Sequence, residues 1–252
     1  MGVRIGRNIR DLDIPFKDEV EFSKKNGFDI IQLWYKRGKV DMVYEKNQIK
    51  AIKNCNIPCI LHGTFDINDF DYADDFVSLL VKLKHKETIV HPMIKTEEIN
   101  EKTNSLLVNK VLELCNKLNE KGIKVYVENN HVKNKTFYTL RQWKYFWSKA
   151  PENTEFLLDI VHVMFCNDYD YIRKLVNIKY PKCLHVADTY KGMVGKKHLH
   201  LPLGKGIIDF DIIFGDILKD FEGIIIMEIK NTDENIIASR DLLLKYYKQL
   251  KD

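Results

Sequence analysis

Long apolar runs are missing from this 252-residue sequence: none approaches the roughly 18 residues that a membrane-crossing helix needs, so no membrane contact is expected. The opening MGVRIGRNIRDLDIPF lacks the apolar stretch of a secretion signal and the Arg/Ser-rich, acid-poor texture of a transit peptide. Gly6 stands where a myristoylation signal wants Ser or Thr. A cytoplasmic protein is the expectation. Cysteine is sparse and odd in number. Cys55, Cys59, Cys115, Cys166 and Cys183 fall mostly inside apolar runs with no CxxC pair, which reads as small buried hydrophobes in a reducing compartment, not bridges or zinc knuckles. No Pro/Gly-rich or low-complexity stretch marks a linker, so one domain over residues 1–252 is expected. Arginine is scarce, seven of the forty basic residues, which rations bidentate phosphate recognition and leaves lysine point charges plentiful. Set against 36 Asp+Glu, those forty give a net charge of +4, too small to name a polyanionic partner yet tolerant of one.

What is present is a globular composition, 45% apolar and 30% charged, which excludes a disordered tail, a collagen-like chain and a disulfide miniprotein. Short β-branched runs recur at residues 3–9, 29–34, 58–62, 88–91, 124–128, 155–160, 183–187 and 223–229. They are too short and too apolar for one-sided amphipathic strands, and read as buried parallel strands. Helically patterned segments such as 103–120 and 235–250 lie between them. Eight such units at this length predict an α/β fold, a single-domain (β/α)8 TIM barrel. A doubly wound open sheet is the competitor, but its Gly-rich phosphate turn is absent after the first run, which continues into RNIRDLD.

Six consecutive runs stop at a side chain able to bind metal: His62, His91, Glu128, Asp159, His185 and Glu228. In a parallel barrel those ends share the C-terminal face, where barrel enzymes keep their chemistry. His162, His198 and His200 fall on the loops that follow. Any one of these histidines reads as readily as a hydrogen-bonded core residue. Together, unpaired ionisable groups at one barrel mouth would carry a large desolvation and repulsion cost unless a cation neutralised the carboxylates. The mixed carboxylate and imidazole set suits zinc, manganese or cobalt better than calcium. The remaining histidines, His85 and His131, carry no such signal.

These residues resemble the xylose-isomerase-like barrel superfamily, which holds sugar isomerases and epimerases, sugar-phosphate relatives and the endonuclease IV abasic-site nucleases. The resemblance runs from about the third strand onward. It rests on Glu128, Asp159, His185 and Glu228, on Asp159-x-x-His162, and on HLHLPLGKGIIDF from His198 to Phe210. The isomerase branch implies one divalent ion held by Glu128, Asp159, His185 and Glu228. It implies proton transfer through a metal-stabilised enediolate, with Glu128 and Glu228 as the catalytic base and acid, and His162 and His200 on substrate oxygens.

The endonuclease IV branch implies three zinc ions: one on His62, His91 and Glu128, one on Glu128, Asp159, His185 and Glu228, and one on His162, His200 and position 198. There the nuclease pattern has Asp and this chain has His198. Such a cluster would activate water against a DNA phosphodiester. NNHVKN after Glu128 and Val161 before His162 depart from that branch, whereas Phe65 and Arg37 stand where it inserts an aromatic and an arginine into the duplex. Phe65 is equally a substrate-stacking residue of the isomerases. Basic residues at Lys36, Arg37, Lys39, Lys133, Lys135, Lys191, Lys196, Lys197 and Lys205 border the same face and would attract either a sugar phosphate or a DNA backbone. The leading expectation is therefore a metal-dependent isomerase or epimerase of a small sugar or sugar phosphate, with Lys205 and Phe65 among its substrate contacts. An abasic-site endonuclease is the alternative, the one reading with DNA as partner. A third is a barrel that only binds a polyol or cyclitol. Self-association into a homo-oligomer is left open.

Overall fold

The computed structural model describes residues 2–9, 14–42, 46–95, 97–130, 139–190 and 199–249. Eight parallel strands close on themselves: β1 (Arg4–Asn8), β2 (Ile30–Lys36), β3 (Cys59–Asp66), β4 (Glu87–Met93), β5 (Lys124–Glu128), β6 (Thr154–Asp159), β7 (Cys183–Val186) and β8 (Ile224–Met227). Each pairs with its neighbour in sequence, and β1 closes the ring by pairing with both β2 and β8. The chain is a (β/α)8 TIM barrel, and the open doubly wound sheet is excluded by that closure.

Helices α1 (Phe16–Lys25), α2 (Gln48–Asn54), α3 (Ala73–Leu83), α4 (Glu101–Glu120), α5 (Leu140–Lys149) and α6 (Tyr169–Ile178) follow the first six strands. After β7 comes α7 (Phe210–Ile212), continued by a π-helical turn over Ile213–Ile217, and α8 (Asp233–Gln249) follows β8. Their starts are set by local chemistry. Asn100 and Thr103 close a capping box on α4, Thr139 and Gln142 do the same on α5, and Asp168 caps α6. The Asn100 cap explains why α4 begins two residues before the apolar pattern at 103. Among the described residues no helix is long and apolar enough to cross a membrane.

Side chains alternate across the barrel wall, as strand geometry requires. Outward residues such as Leu33, Leu61, Val90, Val127, Leu158, Leu184 and Ile225 join the helices in one large core. Inward residues Ile30, Ile60, Ile89, Tyr126, Leu157, Cys183, Ile224 and Ile226 form a separate plug filling the barrel. Below it Arg4 pairs with Glu87 at 3.0 Å, and the Tyr126 hydroxyl donates to the same carboxylate. Above it, one step further along each strand, lies a polar layer.

Two expectations are corrected here. Strands three and four do not stop at His62 and His91. The β3–β4 ladder continues through Thr64↔His91, Phe65↔Pro92 and Asp66↔Met93, so both histidines lie within their strands. The cysteines are not uniformly buried either: Cys115 and Cys183 are, Cys166 is exposed, and Cys55 and Cys59 are half-buried and face each other.

Gly6 in β1 faces inward, where a Cβ would lie 2.7 Å from Ile226 Cδ1 and 2.9 Å from the Ile30 carbonyl oxygen. Gly6→Ala should therefore destabilise the barrel by about 1–3 kcal/mol through overpacking, read as a lower urea midpoint. Gly215→Ala, where nothing lies within 4 Å, should leave the midpoint nearly unchanged. Equal midpoints for the two variants would contradict the crowded inner wall.

Candidate metal centre

The polar layer is built by the same alternation. Asn8, Gln32, His62, His91, Glu128, Asp159, His185 and Glu228 follow the plug residues by two positions or, at strand ends, by the next inward step. His62, Glu128, Asp159, His185 and Glu228 are almost completely buried. His91, His162 and His200 have side chains 12%, 14% and 29% exposed, and so form the rim facing solvent.

Contacts converge on two carboxylates. Glu128 Oε2 meets His62 Nε2 at 2.9 Å and His91 Nδ1 at 3.2 Å, while its Oε1 meets His185 Nδ1 at 3.3 Å and His162 Nδ1 at 3.6 Å. Glu228 Oε1 lies 3.6 Å from His185 Nδ1 and 3.7 Å from His62 Nδ1, and its Oε2 lies 3.7 Å from His200 Nδ1. Asp159 Oδ2 lies 3.5 Å from His162 Nε2 and 3.9 Å from His185 Nδ1. Three groups have ligand atoms within 4.8 Å of one another: His62/His91/Glu128, His62/His185/Glu228 and Glu128/Asp159/His162.

These side chains fit a divalent ion. Both ring nitrogens of His62, Nδ1 of His91, His185 and His200, and Oε2 of Glu128 are buried and make no hydrogen bond of acceptable geometry. They face one another across the layer at spacings close to the roughly 3.4 Å edge of a tetrahedron with 2.0–2.1 Å bonds. Among the described residues no lysine or arginine pairs with Glu128, Asp159 or Glu228. The donor set of oxygen and imidazole nitrogen suits zinc, manganese or cobalt.

The electrostatics are those of a cation-seeking cluster. Burial pushes the Glu128 carboxyl up, but His91, His185 and His62 together outweigh it and hold the group well below its ordinary value. Glu228 is likewise lowered, against burial, by His185, His200 and His62. Asp159 goes the other way: burial, with repulsion from Glu128 and Glu228, raises it despite His162 and His185. Burial lowers His91 to about 4, whereas His185 overcomes burial through Glu228 and Glu128 and rises to about 9.

Several site residues were not expected from sequence. Gln32, fully buried, donates from Nε2 to Glu228 Oε1 at 2.6 Å and accepts from His185 Nε2 at 2.9 Å. That bond fixes the ring with Nδ1 toward the carboxylates, the nitrogen a metal would take once its proton is displaced. Asn129 exchanges two bonds with the Asp159 backbone at 2.7 and 3.1 Å and accepts from His162 Nδ1 through its own carbonyl at 2.8 Å. Asn130 Oδ1 takes His91 Nε2 at 3.1 Å. Trp34 stacks on the His62 ring, 4.1 Å between centroids, and is the aromatic at this site. Phe65, expected there, is instead 1% exposed and packed on Tyr35, Phe70 and Phe76, because its parity on β3 is opposite to that of His62. Arg37 is engaged with Asp69 at 2.8 Å. Lys205 is exposed on the turn after Leu199–Leu201, its N–H bonded to the Pro202 carbonyl. His131, His198, Lys133, Lys135, Lys191, Lys196 and Lys197 lie outside the described residues.

His200 reaches Glu228 from a loop. Leu199–Leu201 pairs irregularly and antiparallel with Asp188–Thr189, and His200 sits at φ 68°, in the left-handed region. The buried Asp188 carboxylate ties this loop down by accepting the N–H groups of Thr189, Gly206 and Ile208. Gly206 is required there, since a Cβ would lie 2.3 Å from both Asp188 Oδ1 and the Thr189 carbonyl.

Two outcomes follow. His185 is raised above the ordinary 6.5, so its contribution to the stability of the metal-free chain is complete below 6.5 and lost as pH rises through about 9. Glu128 and Glu228 are lowered from 4.5, so theirs is present above 4.5 and lost as pH falls below it. With chelator, Tm should decline from pH 6.5 to 9, and the rise in Tm on adding zinc should grow over the same range as the proton ceases to compete. A zinc increment that shrinks with pH would contradict this. Gln32→Met should weaken zinc affinity about 10–100-fold in a chelator competition. Unchanged affinity would remove Gln32 from the site.

Comparison with known proteins places the fold. A family model described as "Xylose isomerase-like TIM barrel" matches residues 20–246. No curated protein matches the chain by sequence. Among solved structures, a D-tagatose 3-epimerase-like protein superposes with TM-score 0.78 at 19% identity, covering 98% of each chain. The D-psicose 3-epimerase of Clostridium cellulolyticum H10, with D-tagatose, gives 0.72 at 18%, covering 97% of this chain and 99% of that one. An IOLI protein with a binding zinc atom gives 0.77 at 16%, covering 98% and 99%. At these identities the structures speak to the fold alone. The family match spans β2 to β8 and every polar-layer residue but Asn8, and the chain belongs to the xylose isomerase-like TIM barrel family.

Proposed function

We propose that the chain is a divalent-metal-dependent isomerase or epimerase of a small sugar or sugar phosphate. The observation that carries this reading is the placement of Glu128 and Glu228 around His185. These two buried carboxylates approach the same imidazole nitrogen at 3.3 and 3.6 Å from β5 and from the end of β8, three strands apart around the wall. Glu128, Asp159, His185 and Glu228 would hold the ion. When bound, it would polarise neighbouring carbonyl and hydroxyl oxygens of an open-chain sugar and acidify the C–H between them.

The chain's own residues do the rest. Glu128, ionised at neutral pH, would accept a proton from one face of the substrate carbon, and Glu228, after taking up a proton from solvent, would return one to the other. His162 and His200, partly exposed at the rim, would hold substrate oxygens. Trp34, stacked on His62, offers a flat apolar wall to a sugar face. Lys205 would meet a phosphate if the sugar carries one. The epimerase structures of the same fold, one of them with D-tagatose, support the substrate class, and the zinc of the IOLI structure supports the metal.

An abasic-site endonuclease with up to three zinc ions is the second reading, favoured by the separate convergence of His62, His91 and Glu128. Two residues weigh against it. Phe65 is locked in the core, which removes the wedge that flipping a damaged nucleotide needs, and Arg37 is turned to Asp69 through its Nε.

Elemental analysis of chain purified without chelator should give close to one zinc, manganese or cobalt. Incubation with a panel of ketoses and ketose phosphates in heavy water should place solvent deuterium in the product. Glu228→Gln should lower that turnover at least about a hundredfold, in line with the usual size of acid–base contributions. Close to three zinc ions with cleavage of an abasic duplex, and no deuterium incorporation, would replace this reading with the nuclease.

A further inference from the structure

At the opposite end of the barrel from the metal centre, Cys55 closes α2 and Cys59 opens β3, with only Asn56, Ile57 and Pro58 between them. Their sulfur atoms are 3.3 Å apart, and both residues are partly exposed. Cys59 precedes the inward Ile60, so it points toward the helix layer, away from the plug. Backbone carbonyls hold the pair in place: Cys55 Sγ lies 3.0 Å from the Ile52 oxygen and 3.1 Å from the Ile57 oxygen. The two cysteines line an open hollow whose charged and polar side chains include Lys53, Lys84, His85, Lys86 and Glu87. Neither sulfur has a part in the chemistry of the barrel mouth.

We propose that Cys55 and Cys59 form a reversible dithiol–disulfide pair, a modification site oxidised by hydroperoxides and separate from the metal centre. The spacing is that of two thiols in contact, and closure to the roughly 2.05 Å of an S–S bond needs a shift of about 1 Å. The hydrogen bond from Cys59 outweighs burial and lowers Cys55 to about 7, and the same bond raises Cys59. Cys55 is thus the attacking sulfur and Cys59 the resolving one.

The chemistry balances. The Cys55 thiolate attacks one peroxide oxygen, the O–O bond breaks, and hydroxide leaves to be protonated to water, giving a sulfenic acid at Cys55. Cys59 then attacks that sulfur. The S–S bond forms, the S–O bond breaks, and the departing hydroxide takes the Cys59 proton as a second water. Two thiols and one hydrogen peroxide become one disulfide and two waters, the sulfurs giving up two electrons. A reducing dithiol reverses the change by thiol–disulfide exchange.

The test exposes the full chain to hydrogen peroxide, removes the excess, and counts thiols after denaturation. Two of the five should be lost, a non-reducing peptide map should join the segments bearing Cys55 and Cys59, and dithiothreitol should restore all five. Cys59→Ser should stop at a sulfenic acid on Cys55, captured as a dimedone adduct, and Cys55→Ser should form no intrachain bridge. Retention of all five thiols, oxidation at the exposed Cys166 in place of the pair, or a bridge between chains would overturn the proposal. The wild-type map stands alone should either serine variant fail to fold. The readout is the state of the sulfurs, so it is independent of the reaction at the barrel mouth.

Discussion

Three carboxylates stripped of water at the centre of a closed barrel set the terms for everything around them. Glu128, Asp159 and Glu228 are each no more than 4% exposed, and a buried ion costs several kcal/mol even after relaxation. Imidazoles answer this charge, placed by parity on β3, β4 and β7. They answer it incompletely: His62, His91 and His185 face the carboxylates at short range without forming well-directed hydrogen bonds. Buried carboxylates ringed by imidazoles in this way fit a cation, which would supply the charge that the protein withholds.

The fold was legible because closed parallel barrels bury both faces of every strand, which writes each one as a short apolar run. Six of the site residues were legible for a related reason, since each lies at or near the place where such a run turns polar. The rule failed where it depended on knowing where a strand ends. Once β3 continues to Asp66, inward parity passes from His62 to Thr64, and Phe65 falls outward into the helix layer. Gln32 escapes that rule, being neither a metal-capable type nor at the end of its run. Its signal was in view all the same: an amide in the middle of IIQLWYK is tolerated in a buried strand only if both its ends are bonded. The Cys55–Cys59 contact has no such signature, since it is made across a helix-to-strand turn where neither periodicity applies.

His200 differs from the other members of the site in how it is held. The barrel histidines take their positions from strands whose register is fixed by eight continuous ladders. His200 takes its position from a short irregular ribbon and a left-handed backbone, a conformation of order 1–3 kcal/mol above the usual ones for such a residue. Something must over-determine that conformation, and Asp188 does so: one buried carboxylate gathers three N–H groups from both sides of the ribbon, with Gly206 allowing the close approach. The fold thus spends a buried charge and a strained residue to bring one imidazole over Glu228 from the solvent side. An inner ligand needs no such device, because parity alone would deliver it from a strand. A group that must sit above the buried layer, facing both Glu228 and whatever enters the mouth, has no strand to carry it. The left-handed backbone at His200 therefore sets it apart from the strand-borne members of the layer, over Glu228 and on the solvent side.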